Sequence, residues 1–170
     1  MPDLLAHVLL AYAVCTALST RYDWGPAAVT VGMLGALLPD LDHLGTILPP
    51  GVIYDRFGVL VDWTALQTGG GVLLLILGGV VVAVPDQRRR VFALLSVGAI
   101  SHLFTDALIR VPDGRSQSVF WPLTPYQPPT PGLYTSTDLW PLVVAAALAA
   151  AAWYWCRYRP NTETAEAETT

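Results

Sequence analysis

Two short runs hold most of the residues able to do chemistry. In Ser101-His102-Leu103-Phe104-Thr105-Asp106 an imidazole and a carboxylate stand four residues apart, which on a helix puts both on one face. At that spacing a nitrogen and an oxygen can share one divalent cation, and the same pair can equally form a buried His–Asp hydrogen bond. In Leu38-Pro39-Asp40-Leu41-Asp42-His43 two carboxylates and an imidazole crowd together. Carboxylates so close repel each other unless a cation neutralises them. A metal explains the run economically; a solvated acidic loop, or a helix N-cap by Asp40, is the plainer alternative. His7, four residues after Asp3, is a third imidazole, and a lone histidine there is more often a satisfied core residue. Mixed imidazole and carboxylate ligands favour Zn²⁺, Mn²⁺ or Fe²⁺ over Ca²⁺, which prefers oxygen throughout.

The elements that must position these groups are apolar helices. The chain is 54% hydrophobic and 13% charged, against about 25% charged in an ordinary soluble domain, so much of its surface is expected to face lipid. Five apolar segments stand out: Leu4–Ser19, Trp24–Pro39, Trp63–Pro85, Val91–Ile109 and Leu139–Cys156. A spanning helix needs about 20 residues, and an ionisable group inside one costs about 2.5–3.5 kcal/mol on insertion scales. His7, His102 and Asp106 are therefore functional candidates by position alone. The fold class expected is an all-α polytopic membrane bundle of about five helices, with a long Pro-rich loop between the last two. Residues 1–159 form the membrane-embedded domain and 160–170 a disordered polar tail. The N-terminus has Asp3 in place of a basic region and reads as a retained helix, not a signal peptide. Pro39 disfavours helical geometry at Leu38, so the chain should turn or restart there.

Arginine placement orients the bundle. Arg88-Arg89-Arg90 joins the third and fourth segments and should be cytoplasmic; Arg21, Arg157 and Arg159 then fall on the same side. This puts the N-terminus, the 40–62 region and the 110–138 loop outside, the C-terminus inside, and the protein in the cytoplasmic membrane. His7, Asp40, Asp42, His43, His102 and Asp106 all fall at the outer ends of their helices. The 110–138 loop holds six prolines, and its Phe120-Trp121-Pro122-Leu123 run suggests a packed cap. Gly69-Gly70-Gly71 and Gly78-Gly79 are expected as close helix-packing positions. No Lys follows them, which excludes a P-loop, and no basic face exists for nucleic acid. Cys15 and Cys156 lie in no motif and read as small apolar residues.

His7 in the first segment, Leu-Pro-Asp40-Leu-Asp42-His43 after the second, Ser-His102-x-x-x-Asp106 in the fourth and the following Trp121-Pro122 together resemble the YdjM-like family of membrane-bound metal-dependent hydrolases, over roughly residues 1–125. The resemblance implies a metal, Zn²⁺ first and Mn²⁺ or Fe²⁺ next, held by some of His7, Asp40, Asp42, His43, His102 and Asp106. It implies hydrolysis by a metal-activated water, with whichever of Asp40 and Asp42 is not a ligand as general base. A phosphoester near the outer face, including a membrane lipid, is the substrate class it suggests by analogy. Such proteins commonly carry His-Arg-Gly-x-Thr-His-Ser entering the third helix. Here the stretch reads Thr64-Ala65-Leu66-Gln67-Thr68-Gly69, with Gln67 in the place of the second His. Gln67, Thr68 and Trp121 then become expected substrate-side or supporting residues. Either the site has one ligand fewer, or Gln67 holds a water or substrate, or activity is lost. A cation or proton transporter and an inactive scaffold are the non-enzymatic alternatives. A transporter would need polar groups through the whole membrane thickness, and the inner halves of these segments have no ionisable residues apart from the arginines at their ends.

Overall fold

A computed structural model describes residues 2–22 and 24–158. The polar tail expected at 160–170 lies outside the described residues, as does the side chain of Asp3. The described residues form α-helices and short 3-10 turns without a named strand: α1 Pro2–Tyr22, α2 Pro26–Leu37, α3 Leu44–Ile47, α4 Pro50–Phe57, α5 Gly69–Val82, α6 Arg88–Asp106 and α7 Trp140–Tyr158. Among them only Leu4–Tyr22 is both long and apolar enough to cross a membrane by length and composition, while α2 and α5 are apolar but shorter.

Local chemistry explains why α2 and α5 are shorter than their apolar runs. Pro26 starts α2, where its missing N–H is no loss. Pro39 lacks the donor that would extend the helix, but Leu38 stays helical, at φ −61° and ψ −45°, against the expectation from its neighbour. The chain instead tightens into a 3-10 turn over Pro39–His43, with Leu41 N–H donating to the Leu38 carbonyl at 3.2 Å. The third apolar run is likewise split. Trp63–Gln67 is a 3-10 turn, and the Thr68 hydroxyl caps α5 by accepting from Gly71 N–H at 3.1 Å. The region expected as an outer loop, 40–62, contains α3 and α4.

α2 and α6 run side by side along a seam of small residues. A methyl added at Gly98 would strike the Gly32 carbonyl, and one at Gly35 the Leu95 backbone. Such approach lets backbones touch where dispersion is the main attraction. Val72 and Ile76 of α5 pack on Leu95 and Ala99 of α6. α7 lies against α1, with Cys156 Sγ 3.6 Å from the Thr16 carbonyl. The glycine expectation holds in part. Gly79 approaches Leu95, but Gly78 has nothing within 4 Å, and Gly69–Gly71 accept loop and turn backbone instead of a helix.

The Pro-rich loop folds back over the helix ends. Gly69 N–H donates to the Val119 carbonyl at 3.0 Å and Gly70 N–H to that of Trp121 at 2.7 Å, satisfying donors that the start of α5 leaves open. Ser116 N–H reaches the Pro128 carbonyl at 2.8 Å, and Thr130 N–H that of Gly114 at 3.0 Å. These bonds hold the loop as a cap on the end of the bundle where α1 begins and α2 and α6 finish.

Candidate metal centre

The helix directions decide what meets at that end. α1 brings His7 in its second turn. α6 brings His102 and Asp106 in its last turns, and the 3-10 turn after α2 brings Asp40, Asp42 and His43. His7 and His102 are both buried and stack, with ring centroids 3.8 Å apart and planes 19° apart. Asp106 bridges them: Oδ1 lies 3.2 Å from His7 Nε2 and Oδ2 lies 3.1 Å from His102 Nε2. Asp40 Oδ1 approaches His102 Nε2 at 3.8 Å, which joins the second group to the first.

Hydrogen bonds on the far side of the rings decide which nitrogens face the cluster. His102 Nδ1 lies 2.6 Å from the Ala36 carbonyl, in the last turn of α2 where carbonyls lack helical partners. A carbonyl only accepts, so Nδ1 carries a proton, and Nε2 is the atom turned to Asp106. Thr105 holds the far side of the His7 ring. Its hydroxyl donates to the carbonyls of His102 and Ser101 at 2.8 and 3.1 Å, and its oxygen lies 2.8 Å from His7 Nδ1. Two Nε2 atoms thus face carboxylate oxygens, contacts that either a proton on each nitrogen or a shared cation satisfies. Outer hydrogen bonds of this kind are what orient metal-binding imidazoles.

The second group has its own polarity. His43 Nδ1 lies 2.8 Å from Asp42 Oδ1, and Gln67 Nε2 donates to Asp42 Oδ2 at 2.6 Å. Gln67 therefore turns its amide nitrogen to a carboxylate. Burial pushes the Asp40 carboxyl above the usual carboxylate range, with His102 and His7 pulling it back. Asp40 Oδ2 is buried without a hydrogen-bond partner, a costly state for a carboxylate oxygen, whereas Asp42 Oδ1 has the His43 ring beside it. Ligand atoms within His7, His102 and Asp106 lie within 4.8 Å of one another, as do those within Asp40, Asp42 and His43. The His7, His102 and Asp106 group could hold a divalent cation, with Asp40, 3.8 Å from His102 Nε2 and carrying an unpartnered buried oxygen, as the nearest further carboxylate.

The cluster opens into a cavity of about 860 Å³, lined by Asp40, His43, Gln67 and Asp106 and by loop residues that include Asp113, Arg115 and Gln117. Of the remaining expected site residues, Thr68 spends its hydroxyl on the Ala65 carbonyl and the α5 cap. Trp121 is half-exposed, lies outside the cavity lining and contributes its carbonyl to Gly70. Sequence reasoning missed Thr105, the Ala36 carbonyl and Arg115. Thr105 sits between His102 and Asp106 on α6 and had a signal in that position; the other two had none.

The sequence model described as YdjM inner membrane protein matches residues 1–167. Neither a curated protein nor a solved structure gives a match.

Proposed function

The chain belongs to the YdjM inner membrane protein family, and on that premise we propose that it is a multi-spanning membrane hydrolase whose His/Asp cluster holds a divalent transition metal and cleaves a phosphoester at the outer membrane face. The observation that carries this reading is the convergence of the His7 and His102 Nε2 atoms and the Asp106 and Asp40 carboxylates beside a cavity of about 860 Å³, within the range of about 300–1,000 Å³ typical of ligand sites. Zn²⁺ is the first choice for this donor set, with Mn²⁺ and Fe²⁺ next.

Spanning by α1, α2, α5, α6 and α7 is supported by apolar side chains left exposed on the later helices: Leu74 and Val82 on α5, Ile100 and Phe104 on α6, Val143 and Leu148 on α7. A soluble protein rarely leaves so large an apolar surface open. The outer placement of the cluster follows from the arginines of the 88–90 turn at the opposite end.

A metal here would supply Lewis acidity to a phosphoryl oxygen and to water. His7, His102 and Asp106, with Asp40, are its ligands. Asp42 and His43 handle the proton: the carboxylate orients the imidazole, as in other base–orienter pairs, and Gln67 fixes the carboxylate from its other side. The transporter alternative is weaker, because residues 8–20, 26–37 and 91–101 of α1, α2 and α6 hold no Asp, Glu, His, Lys or Arg below the cluster. The test is turnover of phosphomonoesters and phosphodiesters, soluble and lipid-borne, by full-length protein in detergent with and without added Zn²⁺ or Mn²⁺. Metal-dependent release of phosphate or alcohol that disappears in His102→Ala supports the reading; metal binding without turnover of any phosphoester rejects the hydrolase.

A further inference from the structure

We infer that Arg115 is the anion anchor of this site, holding the phosphate group of an ester substrate across the cavity from the metal ligands. Arg115 lines the same cavity as Asp40, His43 and Asp106, and no other Lys or Arg among the described residues does. Its guanidinium makes no hydrogen bond or ion pair with any described residue. The other arginine of this loop differs: Arg110 Nε and Nη2 both donate to the Gly132 carbonyl, at 3.2 and 3.1 Å. Asp113 stands two residues away on the same cavity wall, yet its Oδ1 accepts from the Arg115 backbone N–H at 3.2 Å.

The base of Arg115 is held while its head is left open. On either side, Ser116 N–H bonds the Pro128 carbonyl and Thr130 N–H bonds that of Gly114. The Arg115 backbone pairs with Pro129. The fixed backbone leaves only the exposed Arg115 side chain to be ordered on binding, and a guanidinium fork matches a phosphate in two-point contact. The cavity exceeds what a bare phosphate needs, which leaves room for an ester substituent.

Charge makes this binding conditional, and here the inference rests on the metal-centre reading. Asp40, Asp106 and Asp113 all line the cavity, and three carboxylates outweigh one guanidinium. A divalent cation at the cluster brings the balance near neutral. Phosphate binding should therefore need both the metal and Arg115.

The experiment is calorimetry on the full chain in detergent, with zinc content measured first for wild type, Arg115→Gln and Arg115→Lys. The probes are inorganic phosphate and, in a second arm, short-chain phosphatidic acid in mixed micelles. The expected result is equal zinc in all three, phosphate binding only in the zinc-loaded state, and affinity weakened about tenfold to a hundredfold in Arg115→Gln, less in Arg115→Lys. If only the lipid arm weakens, the substrate is a lipid head group; if both weaken alike, it is a phosphoester regardless of source. Equal affinity of zinc-loaded wild type and Arg115→Gln for both probes overturns the anchor while leaving the metal centre intact. Absence of zinc from the wild type sinks the metal-centre reading, and the anchor with it.

Discussion

Asp106→Asn is the substitution that separates a metal centre from a buried hydrogen-bond network. It preserves shape and removes the charge that both imidazoles face, at 3.2 and 3.1 Å. Removing one partner of a buried charge pair costs about 3–5 kcal/mol, so loss of this anionic ligand weakens cation binding by at least about 3 kcal/mol, or roughly a hundredfold. Thermal unfolding reads this directly. At zinc a hundred times its dissociation constant, binding stabilises the wild type by about 2.7 kcal/mol. The same zinc concentration then only equals the dissociation constant of Asp106→Asn and adds about 0.4 kcal/mol. The wild type should show a clear zinc-dependent rise in midpoint, and the variant almost none. An equal rise in both would refute the assignment of Asp106 as a ligand. Loss of stability in Asp106→Asn with no zinc effect on either protein would mean that the cluster is held by protons alone.

Other substitutions separate the roles further. His102→Ala should lose both metal and turnover; His43→Ala, whose ring is 42% exposed, should keep most of its metal and lose about 10²–10⁴-fold in turnover, as metal analysis and a phosphoester assay on each variant would show. Acidification should weaken zinc binding, because a ligand must be ionised and burial holds Asp40 protonated to higher pH than an ordinary carboxyl. Zinc affinity then falls on acidification from a higher pH than an ordinary carboxylate ligand would give, with protons released on binding; an affinity that does not fall on acidification would exclude Asp40 as a ligand. Gly98→Leu forces a side chain into the Gly32 carbonyl and should cost about 3 kcal/mol or more, whereas Gly78→Ala meets nothing within 4 Å and should stabilise by up to about 1 kcal/mol. Thermal midpoints that move equally for the two would contradict the proposed α2–α6 seam.

The residues of the cluster were legible because charge inside apolar runs is expensive and so stands out. His7, His102 and Asp106 could be named from position alone and Asp40, Asp42 and His43 from their crowding, and arginine placement alone set them at one end. What orients them was not legible. The Ala36 carbonyl at His102 Nδ1 is backbone, without a residue signature, and depends on how α2 lies along α6. Arg115 sits in a loop without periodicity, and only its pairing with Pro129 turns it to the cavity wall. Helicity was readable in the five apolar segments but not at α3 and α4, and element limits were not readable. Thr64 to Thr68 belong to a continuous apolar run, yet Asp62 and Thr68 cap successive short elements and delay α5 to Gly69. Leu38 kept helical angles because only the hydrogen bond was lost at Pro39. The α2–α6 seam was missed because Gly32, Gly35 and Gly98 are isolated, while the conspicuous glycine runs serve mainly the loop.

The central claim is that the converging imidazoles and carboxylates hold a metal. Elemental analysis of the full-length protein, purified in detergent without chelator and dialysed against zinc, tests it most directly. The account predicts about one tightly held transition metal per chain, lost in His102→Ala and Asp106→Asn. Wild-type protein that is folded and monodisperse yet retains no metal after exposure to zinc, manganese and iron would contradict it.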